Sequence, residues 1–148
     1  MRPELRTCCL FARLAAVGAL AGCTSYGGTE ELMVSTATRK TFCYQVPVGA
    51  VRDALVVYLE KYYGEPMSST AQTAANPPID LKSGARILEE DRDGTHQLAL
   101  SGASGVAFVA VLSGRTDACL SEARLYGKSS PWNGRFYEID AQVHALSD

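Results

Sequence analysis

Between residues 85 and 126 the chain carries four strand-like segments in immediate succession, 85–90, 95–100, 106–112 and 116–126, separated only by short polar or glycine-containing turns. Asp93-Gly94 is a two-residue hairpin signal, and Gly102-Ala103-Ser104-Gly105 and Ser113-Gly114 supply the next two breaks. Neighbouring strands joined this tightly run antiparallel, because a parallel pair needs a crossover of about a dozen residues or more. A chain built this way folds around an antiparallel meander. Residues 106–112 contain no polar side chain, which predicts a strand buried in the middle of the sheet. In residues 116–126, Cys119, Ser121, Ala123 and Leu125 alternate with Glu122, Arg124 and Tyr126, the pattern of a strand with one face in the core and one in water.

The flanking segments supply one more strand and two helices. Residues 41–46 are β-branched and aromatic up to Pro47 and read as a strand. Val51, Leu55, Tyr58, Leu59 and Tyr62 recur at helical spacing, and Gly64 and Pro66 stop that helix. Residues 65–84, with Pro66, Pro77-Pro78 and many small side chains, read as a long surface loop. After a break at residues 129–134, Phe136, Ile139, Val143 and Leu146 mark a C-terminal amphipathic helix. The expected fold class is α+β: an antiparallel four- to five-stranded sheet with two helices packed on one face, a two-layer sandwich. The first strand is free to pair with the last, which brings Cys43 towards Cys119.

The 148 residues are 47% hydrophobic and 20% charged, globular proportions that exclude a wholly disordered or collagen-like chain. A formal charge of −2 offers no basic field for gathering nucleic acid, and none is expected as a partner. The charge is uneven along the chain. Arg2, Arg6 and Arg13 face a single acid, Glu4, before an apolar run over residues 14–21. That run of about eight residues is too short for a spanning helix, which needs roughly 20, and has the layout of an export signal.

The signal ends in Leu20-Ala21-Gly22-Cys23. This stretch resembles the lipobox of bacterial lipoprotein precursors, with a leucine, two small residues and a cysteine in order. The resemblance covers about 25 residues and carries no information about the fold beyond them. It implies cleavage between Gly22 and Cys23, a diacylglyceryl thioether on Cys23, and an acyl chain on the new amino terminus. These covalent lipids are the only prosthetic groups expected; no cofactor or metal is. Each buried methylene adds about 0.8 kcal/mol of membrane affinity, so two or three chains hold where one does not. Thr24 follows the cysteine; in the Gram-negative members of this family an aspartate there favours inner-membrane retention. The implied location is therefore the outer membrane, facing the periplasm.

On this reading residues 1–22 are the signal peptide, residues 23–38 a flexible lipid-anchored tether without apolar periodicity, and residues 39–148 a single α+β domain. Processing shifts the formal charge from −2 to −4, because the signal takes three basic side chains and one acid with it. It also leaves two cysteines besides Cys23. In an oxidising compartment Cys43 and Cys119 are expected to form a disulfide. In the chain-entropy model a loop of that length is worth about 4–5 kcal/mol, an upper figure.

Patterns that carry chemistry are sparse. Ser104 has Gly102 before it and Val106 after it, which reads as a turn rather than a nucleophile elbow. Asp140 and His144, spaced i, i+4, could share a proton or a metal, with a solvated helix face favoured. Glu89-Glu90-Asp91 with Asp93 lacks the alternating ligands of a calcium loop and reads as a hairpin tip. The two histidines, His96 and His144, have no cysteine or histidine at metal-ligand spacing. Trp132 with Arg135 is the candidate recognition pair, the alternative being a Trp that lids the edge of the core. The expected role is a non-enzymatic interaction or envelope-assembly component with an envelope protein as partner. The alternatives are a periplasmic binding module for a lipid, peptide or glycan, and an envelope hydrolase.

Overall fold

The computed structural model describes residues 27–64, 79–80, 83–114 and 116–146. The element order is α1 (Thr29–Ser35), β1 (Arg39–Tyr44), α2 (Val48–Tyr63), β2 (Ile79–Asp80), β3 (Arg86–Arg92), β4 (Thr95–Gly102), β5 (Gly105–Ser113), β6 (Ser121–Gly127) and α3 (Trp132–His144). The strands form one open antiparallel sheet in the order β1-β6-β5-β4-β3-β2. Five strands carry it, and the two-residue β2 extends one edge. Helix α2 takes the chain across one face from the β1 edge to the β2 edge, and the meander walks back until β6 lies beside β1. The expected fold class is the observed one, with α2 and α3 together on one face.

Local chemistry sets the turns. Asp93 and Gly94 both have positive φ, 51° and 76°, as a two-residue hairpin with the strands' own twist requires. Gly64, φ 97°, ends α2, a backbone region that side-chain-bearing residues avoid. Between β3–β6 and the two helices lies the main core, which includes Leu55, Leu59, Ile87, Leu98, Phe108, Leu112, Leu125, Phe136 and Ile139.

Strand β5 is buried on both sides, which explains its lack of polar residues. Phe108, Ala110 and Leu112 face α2 and α3, while Val109 and the half-buried Val111 belong to a second cluster on the opposite face. A β-bulge adds one residue here: Leu100 pairs with Phe108 and Ser101 with Val106, leaving Ala107 as the extra residue. The bulge reverses the alternation, so Ala107 packs with the main core and Val106 turns to the second cluster.

That second cluster is closed by α1, and of the expected flexible tether over residues 23–38 this corrects the described part, residues 27–38. Thr29–Ser35 is helical, and Leu32 is fully buried against Ala99, Val106 and Val109. The Thr36 hydroxyl donates to the Gly127 carbonyl at 2.7 Å in a buried position, and the Gly127 amide donates to the Thr38 carbonyl at 2.9 Å. The folded part therefore begins upstream of residue 39. A seven-residue helix with one buried side chain has too few apolar positions to show a period, and one this short is stable only through its tertiary contacts. The legible trace is the pair Glu30 and Glu31 in its first turn, where acids complement the helix dipole.

Smaller corrections have local causes. Strand β6 starts at Ser121 rather than at residue 116: the Thr116 amide donates to the Cys119 carbonyl (2.9 Å) and the Cys119 amide to the Thr116 hydroxyl (3.1 Å), closing a turn ahead of it. Leu146, expected on the buried stripe of the last helix, is exposed because α3 ends at His144. Most of the proposed 65–84 loop lies outside the described residues, and within it Ile79–Asp80 pairs with β3 as an edge strand.

Candidate functional site

An open groove of about 480 Å³ lies at the β3–β4 hairpin, lined by Val48, Asp91, Arg92, Asp93, Gly94, Thr95, His96, Leu112 and Gly114. Strand alternation places Glu89, Asp91 and His96 on the α2 side of the sheet and Glu90 and Arg92 on the α1 side. Behind the groove His96 is held between two carboxylates, Nδ1 at 2.7 Å from Asp91 Oδ1 and Nε2 at 2.9 Å from Glu89 Oε2. An imidazolium donates to both at once, whereas a neutral ring donates to only one. Arg52 completes the cluster: its Nε donates to Glu89 Oε2 at 2.8 Å and its Nη2 to Glu89 Oε1 at 2.5 Å. The guanidinium thus grips the carboxylate in the paired geometry that makes arginine–carboxylate contacts strong.

Burial pushes the Glu89 carboxyl up, but the Arg52 hydrogen bonds and charge, followed by His96, overcome this and hold it below the usual carboxylate range. A carboxyl depressed in the folded state stabilises fully above its ordinary pKa, 4.5, and loses that contribution as pH falls through the depressed value. Arg52→Met is therefore expected to lower stability by roughly 1.5–3 kcal/mol near neutral pH, nearer the lower figure because Arg52 is part-exposed. The deficit should shrink towards zero in urea titrations carried out well below the carboxylate range, where protonated Glu89 no longer binds a cation. A deficit independent of pH would show that Arg52 acts through packing alone.

The acidic run Glu89-Glu90-Asp91 is divided by the strand. Glu89 goes to Arg52 and Asp91 to His96, while on the opposite face Glu90 meets Arg92 of the same strand at 3.3 Å, with Arg92 also bound to Glu30 of α1 at 2.7 Å. Among the described residues no group of three or more His, Cys, Asp or Glu side chains is arranged to hold a metal. At the other end of the molecule His144 Nδ1 lies 3.2 Å from Asp140 Oδ1 and 2.9 Å from the Asp140 carbonyl. The His144 ring packs edge-on against Tyr44. Burial, followed by the nearby Asp140 carboxylate, raises the Tyr44 phenol far above its ordinary range, so it stays a neutral hydroxyl. Ser104 is in the β4–β5 turn, 3.4 Å from Lys128 Nζ.

The structure keeps the proposed recognition pair in contact but buries its aromatic member. Trp132 is not in the turn but begins α3, 5% exposed, stacked on Phe108 at 4.8 Å between ring centroids and on Tyr63 at 6.3 Å. It is the lid of the core edge, because a large aromatic gains more from burial there than a turn position would allow. Arg135 stays near the surface. Its guanidinium lies 4.2 Å from the Tyr62 ring centroid and 5.2 Å from that of Trp132, and Nη1 donates to the Tyr63 hydroxyl at 2.6 Å. Beside it the Tyr58 and Tyr62 hydroxyls both donate to Glu138 Oε2, at 2.6 and 2.9 Å, and hold that carboxyl below its usual range. The tyrosines of α2 thus form a polar-rimmed seam with α3. Only the aromatic spacing was legible in sequence; the partners Arg135 and Glu138 are contributed by the fold.

Cys43 and Cys119 form the expected disulfide, 76 positions apart in sequence and with Cα atoms 5.4 Å apart. Gly22 and Cys23 lie outside the described residues. Among the described residues no helix is long and apolar enough to cross a membrane. No protein-family model, curated protein or solved structure matches the chain.

Proposed function

We propose that this chain is a lipid-anchored bacterial envelope protein whose folded domain acts as a non-enzymatic interaction module in the periplasm, attached to the outer membrane. The observation that carries the proposal is Leu20-Ala21-Gly22-Cys23 placed directly behind a basic and then an apolar segment. The Cys43–Cys119 disulfide supports export, because such bonds persist in oxidising compartments. A role in interaction is favoured over an internal binding pocket because Phe108, Trp132 and Phe136 fill the space between sheet and helices. The polar side chains around His96 are likewise engaged with one another, tying α2 to the β3–β4 hairpin.

Labelled palmitate should enter the full-length protein, and Cys23→Ala should abolish the label, leave the signal uncleaved at Gly22 and move the protein out of its normal membrane fraction. Unchanged processing and fractionation in that variant would overturn the proposal.

A further inference from the structure

We infer that the α1-bearing face of the sheet is turned towards the lipid surface that holds Cys23, so that the α2–α3 face is the one presented to partners. The inference rests on the lipid-anchor reading and adds an orientation to it. Gly27 lies at the start of α1, its amide donating to Glu31 Oε2 at 2.9 Å, and α1 is fastened to the sheet through Leu32 and Thr36. Cys23 precedes Gly27 by four residues. Four steps of at most about 3.6 Å bring the acylated cysteine no farther than roughly 15 Å from that point.

The domain is thicker than this tether is long. Helix layers about 10 Å thick lie on both sides of the sheet, so roughly 25–30 Å separates the outer surface of α1 from that of α2 and α3. Placing the α2–α3 face on the membrane would require the chain to run from α1 around a sheet edge and across that thickness. The available length does not reach. Covalent reach alone, with no membrane affinity of the domain itself, excludes the α2–α3 face from the membrane and favours the α1-bearing one. Val34, 86% exposed on α1, and Arg124, exposed on the same side of the sheet, belong to the membrane-facing side. Val57 on α2 and Tyr137 on α3, 54% and 55% exposed, belong to the other.

The test uses the full-length acylated protein in phosphatidylethanolamine–phosphatidylglycerol vesicles containing headgroup spin-labelled lipid. A fluorescent amino acid is introduced singly in place of Val34, Arg124, Val57 or Tyr137. Fluorescence should be lost at positions 34 and 124 and retained at 57 and 137. Inserting 20 glycine and serine residues between Cys23 and Gly27 should remove the difference. Equal quenching at all four sites, or the reverse pattern, in protein that carries palmitate and floats with the vesicles would overturn the orientation alone. Protein that carries no palmitate and does not float would overturn the anchor reading and this inference with it.

Discussion

Trp132→Ala is expected to destabilise the domain by about 3–5 kcal/mol, the range for truncating a large aromatic in a packed core. Its ring is sandwiched between Phe108 and Tyr63 and also touches Phe136, so its removal leaves a cavity bounded by three rings whose backbones belong to β5, α2 and α3. These elements are fixed by their packing on one another and on the sheet, so the cavity closes only in part. Gly127 opposite is part of the same fit. A Cβ built there would meet Trp132 Cβ and Cγ and lie 2.9 Å from Cδ1, closer than real side chains approach. Gly127 cannot retreat, because its amide and carbonyl are bound to Thr38 and Thr36. Gly127→Ala alone should therefore cost about 1–3 kcal/mol or more through overpacking. In a Trp132→Gly background that cost should largely vanish, because the nearest atom, the Trp132 Cβ, leaves with the ring, whereas Trp132→Ala keeps it. Urea titrations followed by far-ultraviolet circular dichroism, which does not depend on the lost Trp, give all four corners of the cycle. Strictly additive costs would show that the glycine is required for another reason.

Replacing both Cys43 and Cys119 by alanine is expected to cost about 2–5 kcal/mol, near the upper value if the unfolded chain is the main thing constrained. The bond closes a loop that contains α2 and strands β2–β5, and it joins the edge strand β1 to the turn before β6. Wild-type protein titrated with reductant present should match the double variant. Amide exchange should rise most across residues 41–44, where β1 has a sheet neighbour on one side only. If reduced wild type and the oxidised protein unfold together, the bond contributes nothing and the tie is redundant.

How much of this was legible in sequence follows the period of each element. The meander was, because two-residue alternation, the Asp93-Gly94 turn and the apolar run at 106–112 are local signals that the tertiary structure reinforces. The β1–β6 pairing was an option the strand order left open, and the disulfide followed from the even cysteine pair left after processing. Helix α1 was not legible: its burial depends on one leucine, and the surface receiving that leucine exists only after the bulge at Ala107 has turned Val106 over. The Arg52–Glu89–His96–Asp91 cluster was missed for a related reason. Its members are scattered over 44 positions from Arg52 to His96 and meet only when α2 lies across β3 and β4. Trp132 illustrates the opposite error. A Pro-Trp-Asn-Gly string has turn chemistry, yet the helix starts at its tryptophan, because three aromatic neighbours outweigh local preference.

The disulfide also has a mechanical meaning. A pull on the N-terminal end of the domain would reach α1 first and then β1, whose pairing with β6 runs from Arg39↔Tyr126 to Tyr44↔Ser121. Peeling would break that ladder one pair at a time from the Arg39 end and arrive at Cys43 almost last. There the bond to Cys119 stops it. Tension at the amino terminus could strip the outer helix and edge strand while α2 and strands β2–β5 stayed inside a covalent ring, able to zip the edge back when the load is released.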